Sequence, residues 1–174
     1  RRRTGVSRWS RGPNGWRPGP FTPVTPPDDS FEPSILRDLD GSLLVCVRTG
    51  QWENNHHFQV FRSTDEGKTW SAAIDDPWMR CASPVSILAT RDGRPFLAAN
   101  PYRREHVDNL GRQGYSSWMR EDLEFFPLTD DRRHVRIPTH VFDARALFGP
   151  VRQDPGRHIN FWYVDHPLGG VFRL

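Results

Sequence analysis

The stretch "FRSTDEGKTW", residues 61–70, decides the reading of this chain. It runs from two strand-favouring positions, Phe61 and Arg62, into a short acidic turn and closes on the bulkiest apolar side chain. Its polar core is Ser63-x-Asp65-x-Gly67-x-Thr69-Trp70. Gly67 supplies the left-handed backbone that a tight hairpin needs. The Asp65 carboxylate is placed to accept backbone N–H groups within its own turn. Trp70, entering the next strand, is expected to lie back over the turn and shield it from water. "FQVFR", residues 58–62, is the incoming strand. The stretch therefore predicts two antiparallel strands joined by a stapled turn.

Outward from this turn the sequence repeats. "PSILRDLDGSLLVCVRT" (33–49) holds an apolar pair, then Asp40-Gly41, then a strand-like run. "PVSILATRDGRPFLAAN" (84–100) does the same around Asp92-Gly93, which lies 52 residues after Asp40-Gly41. Asp-Gly between apolar runs is a strong hairpin signal, and type I′ turns are expected there. A weaker third copy runs from "THVFDARALF" (139–148) through "DPGRHINFWYV" (154–164). A hairpin-bearing unit recurring at about 50 residues suits a solenoid or a propeller, whose blades are four-stranded sheets. The expected class is all-β, with a lead-in over 1–30 and blade-like units over about 31–80, 81–135 and 136–174. The Pro/Gly-rich lead-in, "RGPNGWRPGPFTPVTPPDD", has no apolar period and is expected to be irregular. A degenerate second copy of the acidic turn is placed by register at Arg120–Phe126, with Asp122 in the role of Asp65.

Bulk properties agree with many short strands. The chain has 174 residues, with 16 Pro, 14 Gly, 7 Trp and 11 Phe, and a mean hydropathy of −0.70. No apolar run approaches the roughly 18–20 residues of a membrane-spanning helix. The net charge of +3 invites a nucleic-acid reading, but the cations are scattered and all but Lys68 are Arg, so nucleic acid is not expected as a partner. Cys46 and Cys81 have no C-x-x-C or metal spacing; two buried thiols are expected, with a disulfide open. The start at Arg1 carries no signal-like segment, and localisation stays unassigned.

The Ser63–Trp70 pattern resembles the Asp-box of the sialidase and BNR-repeat superfamily, and the region upstream strengthens the likeness. "EPSILRDLDGSLLVCVR" runs from Glu32 to Arg48, sixteen positions apart, a Glu–strand–turn–strand–Arg order similar to that of bacterial exo-α-sialidases. The resemblance covers residues 30–130 well and 139–174 loosely. It implies a six-bladed propeller; at about 50 residues per blade that needs roughly 300 residues, so this chain is expected to be an incomplete set of about three blades. It also implies that Ser63, Asp65, Gly67, Thr69 and Trp70 are fold residues, away from the catalytic face.

By the same resemblance the protein would remove terminal sialic acid, or a related acidic sugar, from glycoconjugates by a retaining mechanism. Glu32 would assist a nucleophilic tyrosine, because a carboxylate beside a phenol can take its proton. Arg48 and Arg112 would clamp the substrate carboxylate, since a guanidinium binds it bidentately and stays charged. Arg103 and Arg104 compete with Arg112. Tyr163, followed by Asp165, matches the nucleophile's surroundings better than Tyr115, which sits three residues after Arg112. The family's first arginine and its acid/base Asp have no counterpart; "VRIP" at 135–138 imitates the arginine motif but follows the box. Because half of the catalytic groups are missing, the segment alone is expected to be inactive. The implied partner is a carbohydrate, a sialoside or other acidic glycan, and no metal or organic cofactor is implied. The alternative is a non-catalytic Asp-box propeller that binds carbohydrate or protein.

Overall fold

A computed structural model describes residues 3–25, 31–49, 57–80, 85–100 and 122–143. These residues form strands and turns with no helix among them. The first two strands, β1 (Gly5–Gly12) and β2 (Gly15–Pro23), make a two-stranded antiparallel ribbon. Next comes a four-stranded meander of β3 (Phe31–Arg37), β4 (Leu43–Thr49), β5 (His57–Ser63) and β6 (Ser71–Arg80). A second meander follows, made of β7 (Ser86–Ala89), β8 (Pro95–Ala99), β9 (Asp122–Pro127) and β10 (Thr139–Asp143).

The way the two meanders stack identifies the architecture. Alternation along β4 sends Leu44 and Cys46 to one face, the front, and Val45 and Val47 to the other, the back. The front residues, with Phe58, Val60 and Ile74, share one core with Val85, Ile87, Leu97, Ala99 and Leu128 of the second meander. The 52-residue repeat makes Leu97 and Ala99 the counterparts of Val45 and Val47, so the front of one sheet meets the back of the next. A sandwich related by a twofold axis would bury like faces together. Here the stacking is same-sense, as between successive propeller blades. Strand β3 runs beside β7, where Ser34 Oγ accepts the Ile87 N–H at 3.1 Å. Phe58 and Phe126 meet edge-to-face across the core at 6.0 Å.

The ribbon takes the position that a preceding blade would have. Val6 and Val24 cover the back face of the first meander at Val45, Val47 and Phe61, beside Trp70. Residues 5–23 are thus strand and not irregular lead-in. Gly12 pairs with Gly15 around Pro13-Asn14, and Gly15 has φ of 101°, so "GPNG" is a hairpin turn between two short strands. Three prolines fit β2 because a two-stranded ribbon consists of edges, where missing N–H donors are tolerated.

Three further expectations change. Strand β10 pairs with β9, so the chain from Thr139 to Asp143 completes the second sheet instead of opening a third unit at 136. Residues 122–127 are strand β9, not a turn. The turn that occupies the acidic-box position of the second sheet lies later, where Leu128 bridges to Val135 around Thr129–His134. Finally, the Asp-Gly hairpins are not type I′. Only Gly41 and Gly93 take positive φ, at 85° and 83°, while Asp38 N–H donates to Ser42 O and Thr90 N–H to Arg94 O. Both are three-residue loops closing on a left-handed glycine.

Candidate functional site

Antiparallel order gives each sheet two rims of different chemistry. One carries the tight turns: 38–42 and 63–71 in the first sheet, 90–94 and 128–135 in the second. The other carries the start of β3, the end of β4 and the start of β5, together with the corresponding strand ends of the second sheet. Residues 50–56, 81–84 and 101–121 lie outside the described residues.

At the turn rim many polar groups bond within the turns themselves. Asp65 Oδ1 accepts the N–H groups of Lys68 and Thr69 at 3.0 and 2.9 Å and the Ser63 hydroxyl at 2.7 Å. Its Oδ2 accepts the Thr69 hydroxyl at 2.6 Å, and Ser63 Oγ accepts the Gly67 N–H at 2.9 Å. The Trp70 indole donates to Gly67 O at 3.1 Å and so lies over the turn. Donors from Thr69, then Ser63 and Lys68, hold the Asp65 carboxyl far below the usual carboxylate range. Glu66, itself left-handed at φ 62°, receives a two-pronged bond from Arg37 at 2.9 and 3.0 Å, which lowers its pKa and raises that of Arg37. Asp40 is lowered chiefly by Ser42 and also contacts Arg62.

The second sheet repeats this chemistry at a place the glycine-based motif does not mark. Thr129 Oγ1 donates to Asp131 Oδ1 at 2.6 Å as Ser63 does to Asp65, and Arg132 takes the left-handed backbone at φ 61° as Glu66 does. Arg132 then reaches the first sheet: Nε and a terminal amino group donate to the two oxygens of Asp38 at 2.6 and 2.9 Å. Asp38 is 1% exposed at its side chain. Arg132 holds its pKa below the usual range, and Asp38 raises that of Arg132. This fork joins the two sheets. The signal for it is the spacing Thr129-x-Asp131, which matches Thr90-x-Asp92 and Ser63-x-Asp65 once glycine is not required.

The opposite rim brings Glu32 and Arg48 together. Arg48 continues the front stripe Leu44–Cys46 one step further, so a guanidinium ends a row that is otherwise apolar. The residue is 8% exposed, with Nε 2.9 Å from Glu32 Oε2. The contact is an ion pair whose approach is off-line for a hydrogen bond. Glu32 sits at φ 55°, next to the irregular register between Phe31 and Ser34. A non-glycine residue in that region stores strain, and such strain gathers at sites that must aim a side chain.

Other polar groups end on this rim that no sequence motif marks. The pair Thr49–His57 closes β4 on β5, with Thr49 Oγ1 3.1 Å from His57 Nε2. Glu124 pairs with Ala99 in register, which sets it on the back face of the second sheet, in the same inter-sheet layer as Arg48; His140 Nδ1 lies 3.7 Å from it. Asn100, one repeat after Arg48, is fully buried. Their signal is position alone, at strand ends on the Arg48 rim.

Of the residues that the sequence singles out, Glu32 and Arg48 therefore meet, and Ser63, Asp65, Gly67, Thr69 and Trp70 form one turn at the other rim. Arg112 and Tyr163 lie outside the described residues, as do Arg103, Arg104, Tyr115, Asp165 and Cys81. Cys46 is buried in the inter-sheet core. Among the described residues no cluster of His, Cys, Asp and Glu suits a metal ion, and no helix is long and apolar enough to cross a membrane.

No family model matches the sequence, and no curated protein matches it. Among solved structures the chain is similar to an α-L-arabinanase of Penicillium chrysogenum complexed with arabinobiose, at 16% identity and a TM-score of 0.46. The likeness covers 82% of this chain and 38% of that one, so this chain spans well under half the length of the arabinanase.

Proposed function

We propose that this chain is part of a sialidase-type glycoside hydrolase acting on terminal acidic sugars, with its site on the Glu32–Arg48 rim. The observation that carries the reading is the 2.9 Å approach of the Glu32 carboxylate to a buried guanidinium at the ends of two adjacent strands, β3 and β4. Arg48 would hold the sugar carboxylate, with Arg112 as second member of the clamp. Glu32 would draw the proton from the Tyr163 phenol as the phenol oxygen attacks the anomeric carbon; the glycosidic C–O bond breaks and the departing oxygen takes a proton from an acid or from water. The Ser63–Trp70 turn would be an Asp-box with a structural role only, in keeping with its place on the other rim.

A second reading has its own support. Glu32 pairs with Arg48 at 2.9 Å, an arrangement that also suits a binding module without turnover. Release of 4-methylumbelliferone from its sialoside by the protein carrying this segment separates the two. Turnover in which Arg48→Gln raises KM about tenfold and Glu32→Gln lowers kcat by about a hundredfold supports the hydrolase. Saturable binding of sialyllactose without turnover, weakened in Arg48→Gln, establishes the binding module. Turnover of a neutral arabinoside and not the sialoside removes the acidic-sugar assignment.

A further inference from the structure

The ribbon β1–β2 has two unlike faces. Its inner face carries Val6, packed on the first meander, and Thr22, paired with it. Arg8 follows on that side, close enough to Glu66 to help hold its carboxyl low. The outer face is read from the register: Trp9 pairs with Pro18, Arg11 with Trp16, and Ser7 with Phe21. The register shifts between Ser7 and Trp9, two steps along β1 facing three along β2, so the extra residue lies on β2 and alternation along β1 keeps Ser7, Trp9 and Arg11 on this one side. Trp9, Trp16 and Phe21 are 56%, 64% and 55% exposed. They are three of the six large apolar side chains most open to solvent among the described residues, gathered on nineteen residues of ribbon. The Phe21 ring lies over Gly5, where any Cβ would collide with it, so this ring is seated on the ribbon.

Charge identifies the occupant. Residues 1–25 contain no Asp or Glu, so nothing on the ribbon opposes a negative ligand. Only one guanidinium stands among the outer aromatics, that of Arg11, directly across from Trp16 and two positions from Trp9. Arg17 pairs with Ser10 and so belongs to the inner side. A single-stranded nucleic acid carries a charge at every nucleotide and is tracked by a row of cations alongside its stacked bases. One cation flanked by two indoles fits a different ligand: a ring with an apolar C–H face and a single carboxylate.

We propose that the outer face of the β1–β2 ribbon, formed by Trp9, Arg11, Trp16 and Phe21, is a binding platform for acidic oligosaccharides, separate from the Glu32–Arg48 rim. Sugar C–H faces lie against the indoles and one uronate or sialate carboxylate pairs with Arg11. The proposal does not depend on the hydrolase reading, because it uses none of the residues on that rim.

Titration of the whole chain with sialyllactose, a trisaccharide ending in one glucuronate, lactose and a short oligo-dT, followed by indole fluorescence and calorimetry, tests it. The Arg48→Gln background keeps the other rim from contributing. Acidic oligosaccharides are expected to bind in that background and lactose about tenfold more weakly. Trp16→Ala is expected to weaken binding about fivefold and Arg11→Gln about tenfold, with unfolding temperatures unchanged because these side chains are exposed. Equal binding of lactose, preference for oligo-dT, no binding, or binding indifferent to the Trp9, Trp16 and Arg11 variants would each overturn it. Loss of all binding in Arg48→Gln alone would remove the platform while leaving the rim site standing.

Discussion

Among the described residues, it is single carboxylates on the turn rim whose pKa values the fold lowers: Asp38, Asp40, Asp65, Glu66, Asp92 and Asp131. A carboxyl depressed by folding contributes stability that is complete above its unfolded pKa of about 4 and is lost as pH falls through the folded value. Urea unfolding is therefore expected to be flat from about pH 7 to 5 and to weaken steeply below about pH 4. Asp38→Asn should cost about 2 kcal/mol at neutral pH, because it removes the charged acceptor of a buried fork from Arg132. The difference from the parent chain should shrink as pH falls through the lowered folded-state value of Asp38, where its carboxyl becomes protonated in the folded as well as the unfolded state. Backbone geometry makes its own demand at Gly67. With φ at 82° and Leu43, Trp70 and Val6 each 3.6 Å from the position of an added Cβ, Gly67→Ala meets strain and not collision. A loss of about 1 kcal/mol in the same urea assay is expected.

At the scale of elements, the inter-sheet layer is what holds β3–β6 on β7–β10. Phe58 and Leu97 are fully buried on opposite sides of it, and either change to Ala should cost about 3–4 kcal/mol. Ile137, 90% exposed, is the matched control, and Ile137→Ala should leave the midpoint unmoved. These elements are legible in the sequence to uneven degree. The hairpins around Asp40-Gly41 and Asp92-Gly93 and the stapled turn after Ser63 can be read because glycine, aspartate and alternation act over a few residues. The ribbon cannot, because its prolines argue against a sheet and only an isolated two-stranded edge tolerates them. The turn at Thr129 stays hidden because Arg132 takes the left-handed position that a search for glycine assigns elsewhere. Residues 139–143 look like the start of a third unit because pairing with β9 is a long-range fact, set by what β9 exposes and not by those five residues. Glu32 and Arg48 are legible as a pair because one hairpin brings them together; Glu124 reaches that layer only through tertiary packing.

For the molecule as a whole, the back face of the first meander depends on the ribbon. Removing residues 1–25 uncovers Val45, Val47 and Phe61, an apolar surface shaped to accept another sheet's front. The truncated chain is expected to self-associate, with a sedimentation profile that shifts with concentration, whereas the intact chain does not expose that surface.

The front-to-back arrangement has a consequence for how such a molecule can grow. Because the first sheet offers its front and the second its back to a single shared core, copying such a unit in tandem supplies the new copy's mating surface at once. No second, independently evolved interface is required. Lengthening such an array then calls for little innovation at the joints, and novelty can gather in the links between strands on the rim that carries Arg48.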